Sequence, residues 1–318
     1  DYVPRKEPAS GSAGGKVVKV DRVEWVYIPD PATTTNALTN GEVDLWETPA
    51  VDMTAQLKAD PNVVVKVIDP LGTQGWLRPN HLHPPFNNPK ARQALVHAVN
   101  QEEYLQALVG NPEFYKVCAA YFICGTPNES KVGTEALAKV NLEKAKKLLA
   151  ESGYKGEKII MMHPTDIPVL NSATLVTAQM LRDIGMNVTV QAMDWSTLTS
   201  RRAEKKSPAD GGWNIFHTYS TGADVSSPIA NIGISGGGVE KAWFGWPTDA
   251  KIEELRDKYA RASTREAKDK IINELQKRLF EVVPYVNYGQ WFQPMAWRSN
   301  LSGVVVSPVP FFWNIEKK

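Results

Sequence analysis

The chain of 318 residues lacks several things, and each absence narrows what it can be. No apolar run approaches the ~20 residues that cross a bilayer as a helix, so no membrane span is expected. Net charge is nearly absent, with 36 Lys plus Arg against 35 Asp plus Glu. That balance gives no electrostatic reason to expect nucleic acid or an anionic membrane as a partner. Cysteine is scarce: Cys118 and Cys124 stand alone, with no C-x-x-C and no second pair to supply zinc ligands. They read either as a short disulfide-closed loop, suited to an oxidising compartment, or as two buried thiols. Histidine is also sparse. His81 and His83 form an H-x-H beside Pro84 and Pro85 without acidic or cysteine company, so no metal site is expected. No glycine-rich phosphate loop is present, and no cofactor is expected. The start at Asp1 shows neither a charged n-region nor an apolar h-region, so these residues contain no signal peptide.

What is present is ordinary globular material: 42% hydrophobic and 22% charged residues, in a length sufficient for two domains. Tryptophan is the exception, at ten residues. After a Pro- and Gly-rich opening, Val17 to Tyr27 alternates with Val23, Trp25 and Tyr27 on one side, predicting a half-buried strand. A short helix through Ala37 and Leu38 stops at Asn40-Gly41, and Val43–Trp46 and Val63–Ile68 read as extended. Leu77 to Asn88 reads as a loop, broken by Pro79, Pro84 and Pro85. Asn88 with Pro89 opens a helix whose stripe is Ala91, Ala94, Leu95 and Ala98. Asn100 with Glu103 suggests a capping box for the next helix, and Asn141 suggests a cap for a third.

Lys158–His163, Pro168–Ile184 and Asn187–Met193 read as strand, crossover helix and strand, a βαβ unit with parallel strands. A further strand is expected over Trp213–Thr218. Residues 221–247 are loop-like, a length that points to function or mobility. Two amphipathic helices follow, roughly Thr248–Ala262 and Thr264–Val282. Tyr285–Trp291 and Leu301–Val306 close the chain as strands. The alternation of strands and helices predicts an α/β fold.

Catalytic patterns do not hold up in context. Gly233-Ile234-Ser235-Gly236-Gly237 matches G-x-S-x-G by letter, but the nucleophile elbow needs a strand before it and a helix after it. Asp166 and Asp194 could be paired carboxylates for acid–base work, yet helix caps explain both. A hydrolase built on Ser235 and His217 is the alternative to a non-enzymatic reading.

Several segments together resemble the family 5 extracellular solute-binding proteins of ATP-driven importers. They are Asn40-Gly41-Glu42-Val43-Asp44-Leu45, then Pro79-Asn80 with Pro84-Pro85-Phe86-Asn87-Asn88 and Arg92-Gln93-Ala94-Leu95. Lys144 to Tyr154, and Leu181 to Val188 with Met193-Asp194-Trp195, complete the set in the family's order. The resemblance implies a type II, cluster C-like periplasmic-binding-protein architecture, with two α/β lobes closing on a peptide or similar small solute. It implies a first lobe of residues 1–78 plus 291–318, lacking its N-terminal strands, and a second lobe of residues 79–290. It further implies a periplasmic or extracellular, membrane-associated location, permease subunits of an ABC transporter as partners, and a monomer unless another chain supplies the missing strands. A non-transport interaction module derived from such a protein is the remaining alternative.

Binding clefts are mostly apolar and aromatic with a few placed polar groups. Trp195, Trp213 with Asn214, and Trp246 are therefore the expected ligand-facing residues, with Asn80 at the lobe junction. Thr221-Gly222-Ala223-Asp224-Val225-Ser226-Ser227-Pro228 resembles the family loop whose Asp pairs with a ligand α-ammonium in peptide-binding members, which gives Asp224 that expected role. The motif's Trp, Tyr and second Asp are missing here.

Overall fold

The computed structural model describes residues 3–318. The chain opens with α1 (Pro31–Asn40), β1 (Leu45–Trp46), α2 (Thr54–Ala59), β2 (Val63–Val67), β3 (Thr73–Pro79), α3 (Pro89–Ala98), α4 (Gln101–Leu108) and β4 (Tyr115–Lys116). Next come α5 (Glu135–Ala138), α6 (Leu142–Glu151), β5 (Lys158–Pro164), α7 (Pro168–Asp183), β6 (Asn187–Met193), α8 (Trp195–Arg201) and β7 (Ile215–Thr221). It ends with α9 (Gly222–Val225), α10 (Gly238–Lys241), α11 (Ala250–Arg261), α12 (Arg265–Val282), β8 (Val286–Trp291), β9 (Pro294–Arg298), β10 (Leu301–Ser302) and β11 (Glu316–Lys317).

Two compact units result. The smaller holds the residues up to Gly72, Gly110–Tyr115 and Trp291–Lys318, and the larger holds Thr73–Val109 and Lys116–Gln290. Residues 73–78 thus belong to the larger unit rather than to the first lobe expected at 1–78. The reason is pairing: β3 runs antiparallel to β7 along its whole length, from Thr73↔Thr221 to Pro79↔Ile215.

The smaller unit is a three-stranded antiparallel sheet in the order β1-β9-β2. Its side chains alternate as a pleated strand demands. Val63, Val65 and Ala296 pack with Leu38 of α1 and Leu57 of α2 on one face. Val64, Met295 and Trp297 pack with Leu45 and Ile68 on the other. Asp30 caps α1 through Thr33 N, Pro31 fills the first turn, and Gly41 at φ 80° ends it in the left-handed region.

One expectation fails here. Val17–Tyr27 forms no strand, and Trp25 is 68% exposed and Tyr27 89% exposed. Alternation marks a segment fit for a sheet, but a strand also needs a neighbour for its ladder, and no described residue pairs with this one along its length.

The larger unit is a six-stranded mixed sheet ordered β4-β8-β3-β7-β5-β6. The βαβ unit forms as its spacing predicts: β5 and β6 pair in parallel from Lys158↔Asn187 to Pro164↔Met193, with α7 as crossover. β5 also pairs in parallel with β7. Asn88, Asn141, Asp249 and Thr264 cap α3, α6, α11 and α12 through backbone N–H groups. Asn100 precedes α4 without a side-chain bond to it, so that capping box does not form. β3 was hidden from pattern reading because six of its seven residues are buried, leaving no polar alternation. β9 was hidden because it opens on Pro294, which a strand tolerates at its first position.

Cys118 and Cys124 form a disulfide, and the free-thiol alternative is thereby set aside. The Cys118 carbonyl accepts hydrogen bonds from Gln101 Nε2 at 3.0 Å and Asn287 Nδ2 at 2.6 Å, tying the loop to α4 and β8. Closing so short a loop restricts the unfolded chain by about 2 kcal/mol. Replacing both cysteines with serine is expected to lower the urea-unfolding free energy by about that amount with the slope almost unchanged.

Candidate functional site

The two helices that follow β5 and β6 leave toward opposite faces of the larger unit's sheet. Thr174 and Thr177 of α7 bond His217 of β7, whereas Leu198 of α8 packs on its neighbour Phe216 and on Met162 of β5. Adjacent strand residues point to opposite faces, so α7 and α8 flank the sheet. Ligands of open α/β sheets bind outside the carboxyl ends of the strands, where chain connections diverge in this way. That edge is the candidate site.

Three strand ends meet there. Beyond β5, Asp166 Oδ1 accepts the Trp195 N–H at 2.8 Å. Beyond β6, Asp194 caps α8 through Thr197 N and Thr197 Oγ1, and these hydrogen bonds hold its carboxyl below the usual range. Both aspartates shape the edge as caps of α8. At the end of β7, Tyr219 is 45% exposed, and Asp224 Oδ2 accepts from Thr221 Oγ1 at 2.8 Å and Ser220 Oγ at 3.4 Å. Trp195, half-buried at the start of α8, and Asp224, exposed in α9, thus lie at the same edge.

The other expected ligand residues lie elsewhere. Trp213 is 0% and Trp246 4% exposed, and both sit in one core cluster with Met162, Leu198 and Phe216. Asn80 donates to the Trp213 carbonyl at 2.9 Å and accepts the Leu82 N–H at 3.0 Å. Asn214 accepts the Ile160 N–H at 2.8 Å and donates to the Pro84 carbonyl at 3.1 Å. In this structure the four residues face the core rather than a cleft: the amides of Asn80 and Asn214 join β3, β5 and the Pro84 segment, and the rings of Trp213 and Trp246 are buried, with Trp213 Nε1 left without a partner among the described residues. Tyr219 was missed, because its exposed position shows only once β7 is paired on both sides.

The serine pattern also resolves. Ser235 follows a 3-10 turn, Ile232–Ile234, rather than a strand. His217 cannot serve it, since Nε2 lies 2.7 Å from Thr177 Oγ1 and Nδ1 lies 3.2 Å from Thr174 Oγ1. The Thr174 hydroxyl donates to the Leu170 carbonyl, so it accepts from Nδ1–H and leaves Nε2 as acceptor for Thr177. Tyr104 completes the chain at 2.5 Å from Thr177 Oγ1. This is a closed, neutral network in the core between α4, α7 and β7.

Residues 1–240 match the family described as "Bacterial extracellular solute-binding proteins, family 5 Middle". The chain belongs to family 5 of the bacterial extracellular solute-binding proteins. Within the family, it is 39% identical over 320 residues to the probable peptide ABC transporter periplasmic-binding protein y4tO of Sinorhizobium fredii, covering 99% of this chain and 60% of that one. The oligopeptide-binding protein AppA of Bacillus subtilis is 26% identical over 318 residues, with 94% and 56% covered. Two solved structures share the fold. The binding protein AgaA of A. tumefaciens R10, in complex with agropinic acid, superposes with a TM-score of 0.75 at 20% identity, covering 92% of this chain and 60% of that one. B. subtilis AppA, with a nonapeptide, gives 0.71 at 19%, with 87% and 56% covered. The fold is that of the type II periplasmic binding proteins, and the chain spans about 60% of the first of these relatives.

Proposed function

We propose that this family 5 chain is the solute-binding component of an ATP-driven importer and that it takes a peptide or similar small solute at the carboxyl edge of β5, β6 and β7. The observation that carries the reading is the edge itself, where the aromatic surface of Tyr219 and Trp195 meets the exposed Asp224 carboxylate, beside Asp166 and Asp194, whose carboxylates cap α8. Permease subunits are the protein partners on this reading. The Cys118–Cys124 disulfide supports a periplasmic or extracellular location, where such bonds persist. No catalytic role is assigned, because Ser235 has neither the strand–turn–helix setting nor an available histidine.

Asp224 is assigned the ligand's α-ammonium. A thermal-shift screen with short peptides, opines and oligosaccharides tests the reading. A solute at 100 times its dissociation constant should add about 2.7 kcal/mol of stability and raise the melting temperature. Asp224→Asn should weaken peptides with a free amino end about tenfold or more while leaving N-acetylated peptides nearly unchanged, since a charge-assisted hydrogen bond is worth about 1.5–3 kcal/mol. Equal affinities in the two proteins would remove Asp224 from the site.

A further inference from the structure

The arginines of this chain mostly have clear partners. Arg256 pairs with Glu253, Arg278 with Asp249, and Arg265 with Asp269, while Arg78, Arg92 and Arg298 donate to backbone carbonyls. Arg202, just beyond α8, is different. Its guanidinium carbon stands 4.6 Å from the Phe244 ring centroid, 5.3 Å from that of Trp243 and 6.0 Å from that of Trp195. Among the described residues its guanidinium makes no hydrogen bond and no ion pair, and Nε is buried without a partner. Glu204, the nearest acid in sequence, is turned toward Lys206, whose N–H it accepts at 3.0 Å. Lys205 lies over Trp246 at 5.8 Å and adds a second positive charge to the same face.

Stacking on aromatic rings occupies the flat faces of a guanidinium and leaves its N–H edge free. The three rings crowd the guanidinium and bury Nε, so the Nη1 and Nη2 donors are the pair left with nothing among the described residues to receive them. The group that matches such an edge is a carboxylate, which accepts two parallel N–H bonds. We propose that Arg202, framed by Trp195, Trp243 and Phe244, is a carboxylate-binding site of the larger unit, serving a small organic acid or the free carboxyl end of a peptide. Through Trp195 this site deepens the proposed function, and it rests on that reading only for the identity of the solute.

The test is a tryptophan-fluorescence titration of the 318-residue chain with benzoate, with a tripeptide and with the same tripeptide amidated at its carboxyl end. Trp195 and Trp243 are the reporters. Benzoate and the free-acid peptide should each give a saturable change, and amidation should weaken the peptide about tenfold or more. Arg202→Met should abolish the benzoate response and the preference for the acid. Arg202→Lys, which keeps the charge but not the planar fork, should recover only part of either. Circular dichroism checks that both variants are folded. Benzoate binding through Arg202 with no peptide response would uphold this site and sink the peptide reading. Acid and amide binding equally well, unaffected by Arg202→Met, would overturn this site and leave the solute-binding reading standing. No benzoate response in the unaltered chain would also overturn it.

Discussion

Arg78→Met should lower the unfolding free energy by about 3–5 kcal/mol, because it removes the charged donor of four buried or partly buried backbone carbonyls. Arg78 is fully buried on β3. Its Nε donates to the Phe244 carbonyl at 2.6 Å, Nη1 to Gly233 at 2.5 Å and Pro284 at 2.9 Å, and Nη2 to Trp243 at 3.2 Å. Burial pulls its pKa down, yet four carbonyl dipoles surround the cation, and a guanidinium does not deprotonate in a protein. Methionine fills much of the volume but strands those carbonyls away from water, each at about 1–3 kcal/mol before relaxation. The segment from Gly233 to Phe244 has little regular structure of its own, so the loss should also open residues 226–249 to limited proteolysis. Arg78→Lys should fall between, because one ammonium cannot reach all four acceptors. Urea unfolding of the three proteins reads the result. A Met variant within 1 kcal/mol of the parent would show that the carbonyls find other donors.

The second large effect concerns acid. His217 is buried in the network with Thr174, Thr177 and Tyr104, and burial pushes its pKa down to about 3. In the unfolded chain it titrates near 6.5. The unfolded state therefore binds a proton that the folded state refuses. The neutral imidazole's contribution is fully present above pH 6.5 and is lost as pH falls toward about 3. Each pH unit in that window is worth about 1.4 kcal/mol, so about 2–3 kcal/mol should be gone by pH 4.5. His97 adds to the same trend, lowered by partial burial and by the Lys144 charge. His217→Gln retains a hydrogen-bonding side chain without a titrating proton. Its stability should fall less steeply between pH 7 and pH 4.5, by close to one proton's worth. Parallel pH profiles would mean that His217 becomes protonated without unfolding the core.

Much of the larger unit was legible in the residues. Asn88-Pro89 and Asn141 are short-range cap signals that need nothing from the rest of the fold, and both caps form, whereas the box expected at Asn100 does not. The βαβ unit was legible because its strand, helix and strand each carry their own period. Trp213, Trp246, Asn80 and Asn214 show the limit at the site. Tryptophan and asparagine suit a binding cleft and a satisfied core equally well, and burial decides between them. Arg202 carried no sequence signal at all, since the rings that frame it come from residues 195 and 243–244.

The sequence by itself determined the longer helices, the caps at Asn88 and Asn141, the parallel pair around α7 and the family, since these rest on local periods and on short motifs in a set order. The tertiary structure alone decided three things. It left Val17–Tyr27 outside any sheet, because a ladder needs a neighbour that no local pattern can supply. It placed β3 in the larger unit, because β7 offers seven partners in register. It separated the tryptophans that fill the core from the one that reaches the edge, because exposure belongs to the packed sheet and not to the residue.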